Sequence, residues 1–515
     1  MSEGLRHLVV VPVVLPLACG AIMLLIDERR HAAKSAMGLA SIALIACAAL
    51  ALIANANVTS MYALGDWRPP FGIVLVADRL ALMMVLLSAV IAFAAVSFSI
   101  ARWQRAGPRF HSLVQFLLAG LNGAFLTGDL FNLFVFFELL LAASYGLALH
   151  GSGRVRVRES LHYIVINLTA SLFFLVGVSL LYGVTGTLNM ADMAQRIPGV
   201  PGADRVLVEV GAAILAIAFL VKAGMWPLGF WLPSTYAASS APAAALFSIL
   251  SKVGIYAVLR LWLLLFDAGT GATLLLAGGI ATIAYGTSAM LASQELARTA
   301  GASLLISSGT LLAAMGTGIP EAIGPALYYL AVSTLGAAAF FLLVELVERV
   351  RQPGANLLAV SAEVFAGPAP DADGEDSTEA KMPAMAAILA VAFLGCALLV
   401  AGLPPMPAFI GKFALFTALL APAAVPVAGW ILLALITVSG LASIMAMARA
   451  GMRIFWGSRL RSQRIRLVEI APVAGLMAVS LGLTVAAGPV MSYMQQAERE
   501  VHSPRGYVEK VLSRP

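Results

Sequence analysis

Lys222, Lys252 and Lys412 each stand alone inside a long apolar stretch, and Glu138 stands inside another. The chain has only six lysines against 26 arginines, so its lysines are placed selectively. Arginine stays charged wherever it sits, whereas burial can strip the proton from lysine. An ionisable side chain at bilayer depth costs roughly 2.5–3.5 kcal/mol even on a mild insertion scale, and such groups mark ion and proton pathways. Four groups able to change charge in apolar surroundings point to proton handling.

Their local sequences sharpen this reading. Glu138 lies in Phe131-Asn-Leu-Phe-Val-Phe-Phe137-Glu138, about nine residues from the preceding loop. It either pins one helix to another through an ion pair or takes part in proton or ion transfer. Lys222 opens the run Lys222-Ala-Gly-Met-Trp226-Pro227-Leu-Gly-Phe-Trp231-Leu-Pro233, and Lys412 closes the run Leu403-Pro404-Pro405-Met-Pro407-Ala-Phe-Ile-Gly-Lys412. Proline removes a backbone donor and clashes one turn back, so both helices should break at these clusters. Lys222 then lies near a helix C-terminus, where the dipole favours its charge, and Lys412 near an N-terminus, where it is disfavoured. The two amines are expected to prefer opposite protonation states. The alternative for each is a lysine snorkelling to the membrane interface. Lys252, in Ser251-Lys252-Val-Gly254-Ile-Tyr256, is mid-span, where snorkelling is hard.

Secondary candidates follow. Asp78 is expected to pair with adjacent Arg79, or to receive and release ions at the outer face. Arg260 shares a helix face with Lys252, eight residues away, and lies close enough to the outer end to reach the interface. Glu345 reads, with Glu348 and Arg349, as a solvated charge group at a cytoplasmic helix end. His162, one turn into its segment, is expected to be structural.

The elements that must hold these groups are membrane helices. The chain has 515 residues, 61% hydrophobic and 11% charged, with a mean hydropathy of +0.94. Soluble chains run about 25% charged. Runs of about 20 apolar residues recur, the length needed to span a bilayer as a helix. They fall near 8–26, 35–54, 73–101, 111–128, 130–149, 161–184, 206–225, 242–266, 271–291, 301–318, 323–347, 383–421 (interrupted), 427–450 and 467–489. The predicted fold is an all-α polytopic membrane protein of about fourteen transmembrane helices, with the seventh and twelfth broken. Broken helices in corresponding halves point to a transport site and to an inverted-repeat architecture. We read residues 1–515 as a single membrane domain, with three helices over 8–101, a core over 111–421, two helices over 427–489, and a tail over 490–515. With both termini outside, the loops assigned to the cytoplasm carry 19 of the 32 Lys and Arg residues, the bias expected of an inner-membrane protein. The strongest such loop holds Arg449, Arg453, Arg459, Arg461, Arg464 and Arg466, a topological anchor that can touch anionic lipid. Within the cytoplasmic loop at 348–382, the acidic stretch 367–381 has a disordered composition. The net charge of +6 reflects these loops, and nucleic acid is not an expected partner.

Cys19, Cys47 and Cys396 lie in apolar runs without paired spacing, so neither disulfides nor a metal cluster is expected. The run at 8–26 is too long for a signal-peptide core. No phosphate-binding loop, dinucleotide fingerprint, nucleophile–base triad or metal spacing is present, and no cofactor is implied.

Four runs carry a family resemblance: Phe134-Val-Phe-Phe-Glu138, Lys222 to Pro233, Ser251-Lys252-Val-Gly-Ile-Tyr256 and Pro404 to Lys412. Together they resemble the antiporter-like subunits shared by Mrp-type cation/proton antiporters and respiratory complex I, over about residues 60–450. The run Pro69-Pro-Phe-Gly-Ile-Val-Leu-Val-Ala-Asp78-Arg-Leu is similar to the D-type subunits of Mrp antiporters. The resemblance implies that Glu138, Lys222, Lys252 and Lys412 form a proton path along the membrane midplane, the first two as a coupled pair. It implies partners too: a large A-like subunit, small membrane subunits, protons, and sodium with lithium or potassium as alternatives. The family's eleventh-helix histidine and lysine are missing, since this chain runs Tyr329-Leu-Ala-Val332-Ser-Thr-Leu-Gly336. The central relay is therefore expected to depend on water, hydroxyls or neighbouring subunits. Two other readings are a proton-pumping subunit of complex I or a membrane hydrogenase, and a structural scaffold whose buried charges only hold helices together.

Overall fold

Each long apolar run forms a helix, because helices alone satisfy the backbone of a single segment in hydrocarbon. The computed structural model describes residues 6–55, 60–266, 269–350, 384–455 and 465–512. The acidic stretch 367–381 and Arg459, Arg461 and Arg464 lie outside the described residues. In chain order the helices are α1 Val11–Leu25, α2 His31–Ala54, α3 Arg79–Ser99, α4 Phe110–Leu126, α5 Leu130–Ala148, α6 Arg154–Thr185 and α7 Met190–Arg196. Then come α8 Gly202–Ala223, α9 Trp231–Ala238, α10 Ala241–Leu265, α11 Ala272–Ala292, α12 Leu296–Gly316, α13 Ile323–Val350, α14 Ala384–Ala401 and α15 Pro407–Leu420. The last are α16 Val427–Phe455, α17 Leu467–Val485, α18 Ala487–Val501 and α19 Pro504–Leu512. Among the described residues eleven helices are long and apolar enough to cross a membrane, and shorter apolar helices fill the other predicted segments.

The seventh and twelfth segments are broken, as the proline clusters predict. The residues that stop them are glycines, however. Gly224 (φ 74°) ends α8 three residues before Pro227, and Gly402 (φ 74°) ends α14 before Pro404. Both adopt the left-handed conformation that closes helix C-termini and that side chains with a Cβ rarely enter. Trp226 N then donates to Thr282 Oγ1 on α11 at 2.8 Å, giving an amide freed by the break a partner.

α10 lies at the centre, its most apolar stretch wholly buried; α12 and α13 are nearly so, whereas α6 and α17 are largely exposed. That gradient makes α10 the inner post and α6 and α17 peripheral. α8 and α10 meet backbone to backbone at Gly254, where a Cβ would stand 2.6 Å from Ala223 N. Small residues permit such contacts between membrane helices.

The loops sort onto two faces. On one, Arg156 Nε donates to Ala238 O, Arg349 pairs with Glu469, and Arg449 donates to Leu291 O. Arg109 N donates to Glu28, and Lys34 pairs with Glu28 at 3.0 Å, on the same face. The other face carries a β-hairpin, β1 Ser60–Ala63 against β2 Val74–Ala77, with Ser60 opposite Ala77. His7 stacks edge-on against Tyr62 of this hairpin, and α18 reaches α3 through an Arg79–Glu500 ion pair. Both described ends of the chain thus lie on the hairpin face, opposite the arginine-rich loops.

Candidate proton-transfer row

α5 starts at Asp129, whose carboxylate accepts from Asn132 N at 2.7 Å and so caps the helix that presents Glu138. Burial pushes the Asp129 carboxyl above the usual range. Glu138 is half-buried, and its Oε1 has no hydrogen-bond partner within the protein. Lys222, in the last turn of α8, is buried. Its Nζ lies 3.4 Å from Ser171 Oγ on α6 and 5.0 Å over the Phe137 ring. Phe134, Phe137, Phe174 and Phe219 contact one another around this site. Their ring faces are one of the few apolar surfaces that attract an ammonium. Glu138 is near enough to act on Lys222 electrostatically, yet it forms no ion pair within 4.0 Å. The expected pair is thus brought together without a closed salt bridge.

Lys252 is wholly buried in α10. Its Nζ donates to Ser307 Oγ at 3.0 Å, Ser308 Oγ at 3.1 Å and Leu304 O at 3.5 Å, all on α12. Ser307 Oγ in turn lies 2.7 Å from Ser333 Oγ on α13. One turn back along α13, Tyr329 lies under Lys412, whose Nζ is 5.8 Å from the ring centroid. Serine hydroxyls both donate and accept, so they can pass a proton where the expected histidine and lysine are missing. Tyr329 and Ser333 belong to the run that stands where the family's histidine and lysine are missing, whereas Ser307 and Ser308 were not pointed to by the sequence.

Lys412 departs from its expected setting. It belongs to α15, but its Nζ donates to Ala401 O at 3.0 Å, across the break at the end of α14. Helical side chains tilt toward their own N-terminus, which here points back at the preceding helix end. The ammonium therefore meets the negative end of one helix dipole as well as the positive end of its own. The predicted contrast with Lys222 does not hold, since both amines sit by helix C-termini.

The secondary candidates divide. Asp78 does not pair with Arg79. Its side chain caps α3 by accepting from Ala81 N at 2.9 Å and forms a buried ion pair with Arg260 of α10. Arg260 accordingly does not reach the interface. Arg79 pairs with Glu500 instead. Glu345 is not a solvated charge. It accepts from Trp103 Nε1 at 2.5 Å and pairs with Arg349 at 3.1 Å, and Arg349 also bonds Glu469. His162 is exposed on α6, with Glu159 at 4.0 Å, away from the row.

Several buried polar atoms have no hydrogen-bond partner among the described residues: Tyr145 Oη, Trp231 Nε1, Tyr236 Oη and Ser240 Oγ, besides Glu138 Oε1. Ring contacts connect Tyr145 to Tyr163, Tyr163 to Trp231, and Trp231 to Tyr236. Tyr236 and Glu345 line a cavity of about 540 Å³ on the arginine-rich face. These ring contacts run from the cavity-lining Tyr236 to Tyr145, which lies two turns along α5 from Glu138.

Residues 127–445 match the sequence family described as NADH:quinone oxidoreductase/Mrp antiporter, TM. The chain is 49% identical to the D-type subunit of a probable K(+)/H(+) antiporter from Rhizobium meliloti, over 100% of this chain and 99% of that protein. This chain belongs to the family of Mrp-type antiporter D-type subunits. It is also 34% identical to the D-type subunit of the Na(+)/H(+) antiporter of Alkalihalophilus pseudofirmus, covering 99% of this chain and 100% of the other. Among solved structures, a chain of the Mrp complex from Dietzia sp. superposes with a TM-score of 0.84 at 25% identity, covering 99% of this chain and 100% of that one. A chain of Thermus thermophilus respiratory complex I shares the fold, with a TM-score of 0.75 at 22% identity over 98% of this chain and 100% of that one. In this member of the Mrp family, Ser333 of α13 stands in the gap between Lys252 and Lys412.

Proposed function

We propose that this chain is the proton-carrying membrane subunit of a multisubunit monovalent-cation/proton antiporter, and that protons move along Glu138, Lys222, Lys252 and Lys412. One observation supports the reading: among the described residues, none of the three buried amines has a carboxylate within 4.0 Å, and each is held by hydroxyl or carbonyl oxygens. A scaffold would close its buried charges into ion pairs, because an unpaired buried charge is strongly destabilising. Amines held by weak neutral partners can instead give up and regain a proton. Lys222 would switch against Glu138, Lys252 would relay through Ser307 and Ser333, and Lys412 would be the terminal group. The arginine-rich face would be cytoplasmic and both termini external, in a bacterial inner membrane, beside a large A-like subunit and small membrane subunits. The coupled ion would be sodium or potassium. The names of the two relatives favour a secondary transporter over an oxidoreductase component.

The test is cation-driven proton exchange in vesicles holding the purified complex, with sodium and potassium gradients imposed in turn. Lys222→Ala should abolish exchange while the complex stays assembled. Exchange at the native rate in an assembled Lys222→Ala complex would sink the proposal.

A further inference from the structure

α10 carries two buried cations on one face. Lys252 belongs to the row; Arg260, eight residues on, lies about 12 Å closer to the hairpin face at 1.5 Å per residue. The row does not use Arg260. Its guanidinium is ion-paired with Asp78, 5.7 Å from the Tyr256 ring centroid and 5.0 Å from that of Tyr507, while its Nε has no hydrogen-bond partner among the described residues. Tyr256 Oη donates to Phe125 O at 2.5 Å, which fixes the inner ring. Tyr507 comes from α19, at the far end of the chain. With α18, α19 forms a strap across the hairpin face. The strap is tied down by Glu500 to Arg79, by Glu498 accepting from Gly324 N at 2.9 Å, and by Tyr493 Oη donating to Arg79 O.

The chemistry of the two cations differs. Lysine can pass a proton on; arginine keeps its own at any accessible pH. An arginine on the relay's helix, two turns outward, therefore cannot pass a proton on. Asp78 neutralises it, and the Tyr507 ring covers it. We propose that the Asp78–Arg260 pair under Tyr507 is a barrier between the Lys252 site and water on the hairpin face, held shut by the C-terminal strap. This rests on the reading of Lys252 as a relay group.

Passive proton flux tests it separately from exchange. Vesicles holding the whole complex are given a pH gradient without a cation gradient. Tyr507→Ala removes the covering ring, and Arg260→Gln leaves Asp78 as a buried acid able to carry protons inward. Each should raise passive flux about tenfold, as expected when a buried cation–π contact or ion pair that biases a closed state is lost. Tyr507→Phe keeps the ring and loses only a hydroxyl without a partner, so its flux should stay native. Native-level flux in an assembled Tyr507→Ala complex would overturn the proposal. If that variant fails to assemble, Tyr507→Leu, which keeps apolar bulk without a ring face, decides between the same two outcomes. Loss of exchange in Lys222→Ala with a tight vesicle speaks only to the row, so the two failures are distinguishable.

Discussion

Ser307 is the narrowest point of the row. Its hydroxyl touches Lys252 Nζ at 3.0 Å and Ser333 Oγ at 2.7 Å, so one oxygen links the Lys252 amine to the Ser333 hydroxyl. Ser307→Ala removes that atom and almost nothing else. Lys252 keeps Ser308 and the Leu304 carbonyl, so the variant should fold and assemble. A hydrogen bond to a charged group contributes roughly 1.5–3 kcal/mol, and each 1.4 kcal/mol is tenfold in rate, so exchange should fall about 10- to 100-fold. Ser307→Thr, which restores a hydroxyl, should recover much of the loss. Thr310 offers a control on the same helix, because its hydroxyl bonds only to Ile306 O of its own turn. Thr310→Val should leave exchange unchanged. The assay is cation-driven proton exchange in vesicles, normalised to assembled complex. Ser307→Ala and Ser333→Ala should also be non-additive, because both cut the same link. Native exchange in an assembled Ser307→Ala complex, or simple additivity of the pair, would refute a hydroxyl relay.

Two further outcomes test the surrounding structure. Gly402→Ala should destabilise the complex by about 1–2 kcal/mol from its left-handed backbone alone. It should also displace the Lys412 amine, which lies 2.8 Å from the added Cβ; lowered thermal stability together with lost exchange is the expected signature. Burial raises the Glu498 carboxyl above its ordinary range, against the opposing pull of its bond from Gly324 N. A raised acid favours the folded state at low pH, and that contribution is lost as pH climbs through its folded value. Glu498→Gln should therefore gain thermal stability relative to the native complex at pH 8 and not at pH 4, measured by unfolding the purified complex across that range.

Much of this was legible beforehand, for identifiable reasons. A lysine in an apolar run has few explanations, and a proline cluster inside one has fewer, so the four charged groups and both breaks could be read from composition. Which residue stops each helix could not: Gly224 and Gly402 are two of 46 glycines, and nothing local distinguishes a cap from a packing contact. The serine contacts of Lys252 were hidden because serine is common in membrane helices and its neighbours are not visible from the sequence. Adjacency misled at Asp78 and Arg79. Consecutive residues on a helix point apart, and each found its partner far along the chain, in Arg260 and Glu500. The position of Lys412 in the chain shows only the helix it belongs to, while the tilt of its side chain brings in the end of α14 as well.

The contact at Gly254 limits what kind of machine this can be. The main chains of α8 and α10 are pressed together two residues from Lys252 and beside Lys222, a close approach that favours the two helices moving as one. Two sites carried on helices that move together would not take turns by rocking. In the proposed row, transfer between Lys222 and Lys252 would then fall to rotating ammonium arms, reorienting hydroxyls and the protons themselves.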